Sequence, residues 1–231
     1  MKKMILLLTA LCLLLVGCGK EDVKTEATKD AADNTAGQNT SAPAEESVPA
    51  AVVNPLPDTT MENLTDAILA VSLEEGGAYV DDTGKLQMDV TIYTYDKYDL
   101  VDISALKEGD TIVTCMGEME ITSLERNDSG TIILNGGLEE GGIELVTDDT
   151  GVYFETGFND VKNWYEVGSA TIRVSADFMG YDNADPDRGE VIIYPGDFLI
   201  DGVVDYRFTP YNTTIRVEGG QIVEMNRRYT P

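Results

Sequence analysis

Apolar and polar residues alternate with a period of two along most of the chain after Asp58. Gln87–Tyr95 reads QMDVTIYTY and sets Met88, Val90, Ile92 and Thr94 on one face, the mark of a half-buried strand. The same alternation predicts short strands over Thr111–Thr114, Glu118–Leu124, Thr131–Asn135, Val152–Thr156, Ala170–Ala176, Glu190–Tyr194, Gly202–Phe208, Thr213–Glu218 and Gln221–Arg227. Asn127-Asp128-Ser129-Gly130 and Gly219-Gly220 read as hairpin turns between them. Met61–Leu73 fits either a helix capped by Thr60 or a strand; the strand is preferred from Ala67 onward. Ser104–Lys107 gives at most one helical turn. Many short strands with closely spaced turn signals predict an all-β fold of small barrels or half-sandwiches.

One text occurs twice. Leu73–Gly84 reads LEEGGAYVDDTG and Leu138–Gly151 reads LEEGGIELVTDDTG. Asp-Asp-Thr-Gly suits a turn that ends on a left-handed glycine, so each copy is expected to join paired strands. The doubled text raises the expectation of two related β-rich halves, residues 58–147 and 148–231. Val101–Val113, VDISALKEGDTIV, reads as a strand end, a turn and a new strand. It is similar to the strand entries of SH3-like or OB-like barrels and names no ligand.

The region before Asp58 reads differently. Lys2 and Lys3 precede the apolar run Met4–Val16, which is too short to span a ~30 Å hydrocarbon core comfortably. The run ends in Leu15-Val16-Gly17-Cys18. This string resembles the lipobox of bacterial lipoproteins. The resemblance implies a signal peptide over 1–17, cleavage before Cys18 and a diacylglyceryl thioether on Cys18, hence a lipid-anchored protein on the extracytoplasmic face of the cell membrane. Residues 18–57 lack aromatics and are rich in Ala, Thr, Asp, Glu and Pro. Such a stretch cannot bury enough apolar surface to offset its ordering entropy, and reads as a disordered acidic tether. Ile133–Leu145 (ILNGGLEEGGIEL) and the closing TTIRVEGGQIVEMNRRYTP resemble secreted lipoproteins of anaerobic, gut-type Firmicutes. That resemblance implies location and architecture, and no activity.

Charge excludes one class of partner. The chain has 16 basic and 42 acidic residues; removing residues 1–17 takes two lysines and no acid, leaving 14 against 42, a net charge of −28. Nucleic-acid binding needs a basic surface, so nucleic acid is not expected as a partner. The expected partners are the membrane, through the lipid on Cys18, and an envelope protein or glycan. With no histidine and Cys115 left alone, neither a zinc set nor a disulfide is available. Cys115, within TIVTCMGEM, is expected to be a buried, inert thiol.

Three constellations stand out as candidate chemistry. Asp182, Asn183, Asp185, Asp187 and Glu190 space oxygens as a calcium loop does, but Arg188 and Tyr194 stand where an EF-hand needs Gly and Glu. Trp164 and Tyr165 are candidate ligand contacts, with further aromatics at Tyr93, Tyr95 and Tyr98 and at Tyr206, Phe208 and Tyr211. Paired acids such as Asp81-Asp82 and Asp148-Asp149 leave open a carboxylate-based hydrolase acting on glycan or peptide. The two Asp-Thr-Gly strings resemble those of aspartic proteases but lack the apolar run that leads into that motif. The favoured expectation is a non-catalytic binding or envelope-structural domain, with the hydrolase as its alternative.

Overall fold

The computed structural model describes residues 49–148, 150–157 and 161–230. Cys18, the expected signal peptide over 1–17, the expected tether up to residue 48 and Asp149 lie outside the described residues. The fold is all-β, with fifteen strands and one six-residue helix among the described residues.

The strands form two bodies with separate cores. The first is a closed barrel of five strands: β2 (Ala67–Ser72), β4 (Leu86–Thr94), β12 (Tyr165–Asn183), β14 (Thr213–Glu218) and β15 (Gln221–Arg228). β2 pairs with β4, β4 with β12, β12 with β15, β15 with β14, and β14 back with β2. Every pairing is antiparallel except β12–β15. Numbered within the barrel, the order is 1-2-3-5-4-1 with the third and fifth strands parallel, the connectivity of an OB-type Greek-key barrel. Closure removes the unpaired edges that an open sheet of this size would expose. β3 (Ala78–Val80) and β13 (Val191–Ile193) extend the sheet alongside β4 and β12.

Closure depends on β12, which is 19 residues long. Its first part pairs with β4 and its last part with β13 and β15. Between Val174 and Met179 its register against β15 shifts. Such an irregularity bends a strand and lets it turn a barrel corner. Phe178 lies in this shifted stretch and is buried against Phe198, with ring centroids 5.9 Å apart. The barrel interior holds Leu69, Val71, Met88, Val90, Ile92, Ile172, Ile215 and Ile222. The face Met88, Val90, Ile92 and Thr94 read from alternation is buried along its whole length. The predicted strand over Gly202–Phe208 is instead irregular. Phe198, Val204 and Phe208 turn inward onto the barrel core, and only a single bridge, Leu73 to Phe208, survives.

The second body lies between β4 and β12 in the chain, except for its first strand, which precedes the barrel. β5 (Lys97–Tyr98), β8 (Leu124–Arg126), β9 (Ile132–Leu134), β10 (Ile143–Thr147) and β11 (Tyr153–Thr156) form one sheet. β1 (Val52–Val53), β6 (Thr111–Thr114) and β7 (Gly117–Glu120) form another. Tyr98, Ile103, Ile112, Ile121, Leu134 and Leu145 fill the core between them. The Tyr98 hydroxyl donates to the Val113 carbonyl at 2.9 Å.

Three sequence expectations need correction here. The cores do not divide at residue 147. The barrel takes strands from 67–94 and 165–228, and the intervening segment, joined by β1, builds the other core, because the closing β4–β12 ladder joins residues far apart in sequence. The folded part also begins before Asp58: Val53 is buried, β1 pairs with β6 in parallel, and Ala51 N–H donates to the Asp110 carboxylate at 2.8 Å. A two-residue strand is too short to show alternation. Finally, Val101–Val113 does not start as a strand. It contains helix α1 (Leu100–Ala105), whose cap is Asp99, accepting from Val101 N–H at 2.7 Å.

Candidate functional site

The Asp-Asp-Thr-Gly block of the doubled text folds twice in the same way, in different sheets, whereas its Leu-Glu-Glu part follows the end of β2 at Leu73 and forms a 3-10 turn at Leu138–Glu140. Asp81-Asp82-Thr83-Gly84 closes the β3–β4 hairpin. The Asp81 carboxylate accepts from Thr83 N–H, the Thr83 hydroxyl and Lys85 N–H at 2.7–2.9 Å. These bonds hold its pKa far below the usual carboxylate range, the Lys85 amide contributing most. Asp148 repeats the bonds to Thr150 in the β10–β11 turn, and Asn127 repeats all three at Ser129 and Thr131. Gly84, Gly130 and Gly151 all close these turns at positive φ. The leading residue of each block is a turn-former, and the two copies serve separate hairpins.

Trp164 and Tyr165 are used within the fold. Trp164 meets the Tyr95 ring edge-on at 4.8 Å. Lys162 sits 3.9 Å from the Tyr95 ring centroid and 4.8 Å from that of Phe154, and donates to the Tyr95 hydroxyl at 2.6 Å. The Tyr165 hydroxyl donates to the buried Asp96 carboxylate at 2.8 Å, and burial raises its pKa. Asp96 also accepts from Cys115 N–H at 2.6 Å. Nearby Glu155 is 6% exposed. Its Oε1 accepts from the Asn163 amide at 2.8 Å, while Oε2 is buried with no partner among the described residues. Burial above all, with the Asp96 charge, pushes the Glu155 pKa up. Cys115, expected to be buried, is exposed, because β6 ends at Thr114 and the thiol falls in the turn to β7. Partial desolvation and the Asp96 and Glu155 charges raise its pKa, which disfavours a reactive thiolate.

The candidate calcium ligands divide between a strand and a loop. Asp182 and Asn183 are the last residues of β12, and the hairpin to β13 runs through Asp185 and Asp187. Asp182 is taken by Arg227 of β15, its partner in the parallel ladder: Nε to Oδ1 and Nη2 to Oδ2 are both 2.8 Å. The Asp185 carboxylate accepts from Asp187 N–H at 3.0 Å and Arg188 N–H at 3.3 Å. The Asn183 amide donates to Glu190 at 3.1 Å. Among the described residues no group of three or more His, Cys, Asp or Glu is placed to hold a metal ion.

These residues border a cleft that sequence reading missed. It has a volume of about 420 Å³ and lies between the β12–β13 hairpin, the end of β15 and the segment around Asp205–Asn212. Arg188, Arg207, Arg227 and Arg228 line it, four of the seven arginines in the chain. Asp182, Asp185 and Asp205 line it too. Arg227 is 5% exposed, its guanidinium lies 5.0 Å from the Phe208 ring centroid, and Nη1 donates to the Asp205 carbonyl at 2.5 Å. Arg207 forms a fork onto Asp205, with Nε to Oδ2 at 2.7 Å. That contact lowers the Asp205 pKa. Arg188 and Arg228 form no ion pair among the described residues and are exposed at the rim. The signal that could have found the cleft was the adjacency of Arg227-Arg228 at the end of a strand in a strongly acidic chain.

The chain matches no protein-family model, no curated protein and no solved structure. Among the described residues no helix is long and apolar enough to cross a membrane.

Proposed function

We propose that the protein is a lipid-anchored, extracytoplasmic binding protein with no catalytic role, and that the cleft beside Arg227 is its ligand site. One observation carries the binding site: a concave cavity of about 420 Å³, within the range of small-ligand pockets, lined by a framework already locked by the Asp182–Arg227–Asp205 network. A preformed site needs little reorganisation on binding. The lipobox supports the anchor: two acyl chains give stable attachment at roughly 0.8 kcal/mol per buried methylene. A carboxylate hydrolase is less well supported. The buried acids Asp96 and Glu155 are bonded to Tyr165, Cys115 and Asn163, and neither lines the cleft. Growth of expressing cells on a clickable palmitate tests the anchor. The wild-type chain takes up label and partitions with membranes, and Cys18→Ser does neither. Label retained by Cys18→Ser would refute the lipid assignment.

A further inference from the structure

The cleft holds more cation than its own acids neutralise. Asp182 is paired with Arg227, and Asp205 with Arg207. Asp185 accepts the backbone N–H bonds of its own turn through Oδ1 and keeps its charge, so four guanidiniums line the cleft against three carboxylates. Arg188 and Arg228 remain at the rim, and they approach the same cavity from different elements: Arg188 from the β12–β13 hairpin, Arg228 from the last residue of β15. The Arg228 backbone is fixed by its N–H bond to the Asn212 carbonyl at 2.8 Å and by its ladder partner Asn183. Elsewhere the domain is strongly acidic, so a site with an excess of guanidinium is set against the charge of the whole protein.

We propose that this cleft binds a small ligand through an oxyanion, a carboxylate or a phosphate group, gripped by Arg188 and Arg228. The assignment rests on the binding-site reading above and adds the chemistry of the ligand. A guanidinium presents donors in a planar fork that matches two oxygens of one anion, which a lysine ammonium cannot do. Arg227 and Arg207 cannot serve in this way, because their forks are filled by Asp182 and Asp205. Their role is to hold the wall and to cancel the two carboxylates that would otherwise repel the ligand. Pro186 and Tyr229 also line the cleft. Acidic sugars and phosphorylated polyols both carry the required group, and the assay separates them.

The test is calorimetric titration of the full-length protein in a non-ionic detergent with glucuronate, glycerol 3-phosphate and neutral glucose. The expected result is binding of at least one anion at a Kd of about 1 mM or tighter, weakening as salt is raised, with glucose at least tenfold weaker. Glucuronate alone identifies a carboxylate ligand, and glycerol 3-phosphate alone identifies a phosphate ligand. Arg188→Gln/Arg228→Gln should weaken the anion at least tenfold. Arg188→Lys/Arg228→Lys, which keeps the charge and loses the fork, should fall between. Both positions are exposed, and unchanged melting temperatures check that the variants fold. Equal binding of glucose and anion, unaffected by the double glutamine variant, overturns the oxyanion assignment while the cleft stands as a ligand site. No heat from any of the three probes overturns the oxyanion assignment. The cleft itself fails as a ligand site if a probe binds and neither the double glutamine variant nor Tyr229→Ala, at another exposed lining position, changes its Kd.

Discussion

Glu155→Gln should make the protein more stable at neutral pH, although it removes a buried native side chain. Glu155 is almost wholly buried on β11, and its Oε2 lacks a partner among the described residues. Leaving a buried acceptor unsatisfied costs about 1–3 kcal/mol, and more when it carries charge. The Asp96 charge adds repulsion, as the direction of the Glu155 pKa shift records. Glutamine keeps the Oε1 acceptor used by the Asn163 amide and replaces the unpartnered, charged oxygen by a neutral amide. The expected gain is about 1–2 kcal/mol, or roughly 3–6 °C in melting temperature for a domain of this size.

The pH dependence supplies a second check. The folded pKa of Glu155 lies above its ordinary 4.5. Between those two values the folded state binds more protons than the unfolded one. The wild-type protein therefore gains stability as pH falls through the folded pKa and loses it as pH rises. The chain has no histidine, so no other side chain has its ordinary pKa in the middle of this window. The Cys115, Tyr98 and Tyr165 pKa values, also raised, move further from it. Melting curves of both proteins from about pH 5 to about pH 8 should show the variant's advantage shrinking towards acid. A variant that melts below wild type at neutral pH, or one that keeps the full wild-type slope, would refute the argument.

Two glycines of the doubled text should respond differently to alanine. In Gly142→Ala the new Cβ would lie 2.0 Å from the Leu134 carbonyl oxygen, so the backbone must shift; urea melts should show a loss of about 3 kcal/mol or more. Gly76→Ala meets nothing within 4 Å, and should lose only the ~1–2 kcal/mol of a left-handed conformation. Asp182→Asn leaves Arg227 buried without its bidentate partner, and should cost about 3 kcal/mol by the same measurement; a change under about 0.5 kcal/mol would show the pair to be dispensable. Calcium at millimolar concentration should leave the melting temperature unchanged, because Arg227 and the backbone already occupy Asp182 and Asp185; a rise would restore the calcium reading.

What alternation made legible was local. Met88, Val90 and Ile92 face inward because a strand at a core surface repeats every two residues, and that pattern needs no knowledge of the partner strand. The turn blocks were legible for the same reason, since Asp81, Asn127 and Asp148 bond to amides two to four residues away. Nesting was not legible. Nothing local in Thr94 says that its strand is paired with one starting at Tyr165, with a whole second core between them. Nor did alternation reveal the full length of β12. Its register shift after Val174 breaks the period where the strand bends, so the pattern registers only one arm of it.

The cleft was illegible by the same rule, and its parts were misread for a related reason. Asp182 looked like a metal ligand because the acids in DNADPDRGE are close in sequence. Closure of the barrel places β15 beside β12 and supplies Arg227 from 45 residues away. In the parallel β12–β15 ladder, Asp182 stands opposite Arg227 and Asn183 opposite Arg228. The first register pair gives a filled ion pair. The second gives an arginine facing an amide, which cannot neutralise it. One strand pairing thus produces both the locked wall and the unneutralised cation beside it, and shifting the ladder by one residue would exchange them. The charge pattern of the cleft is therefore a consequence of barrel closure. An insertion or deletion of one residue between Met179 and Asp182 should abolish anion binding while leaving Arg188 and Arg228 in the sequence; binding that survives such a shift would show that the ladder does not set the site.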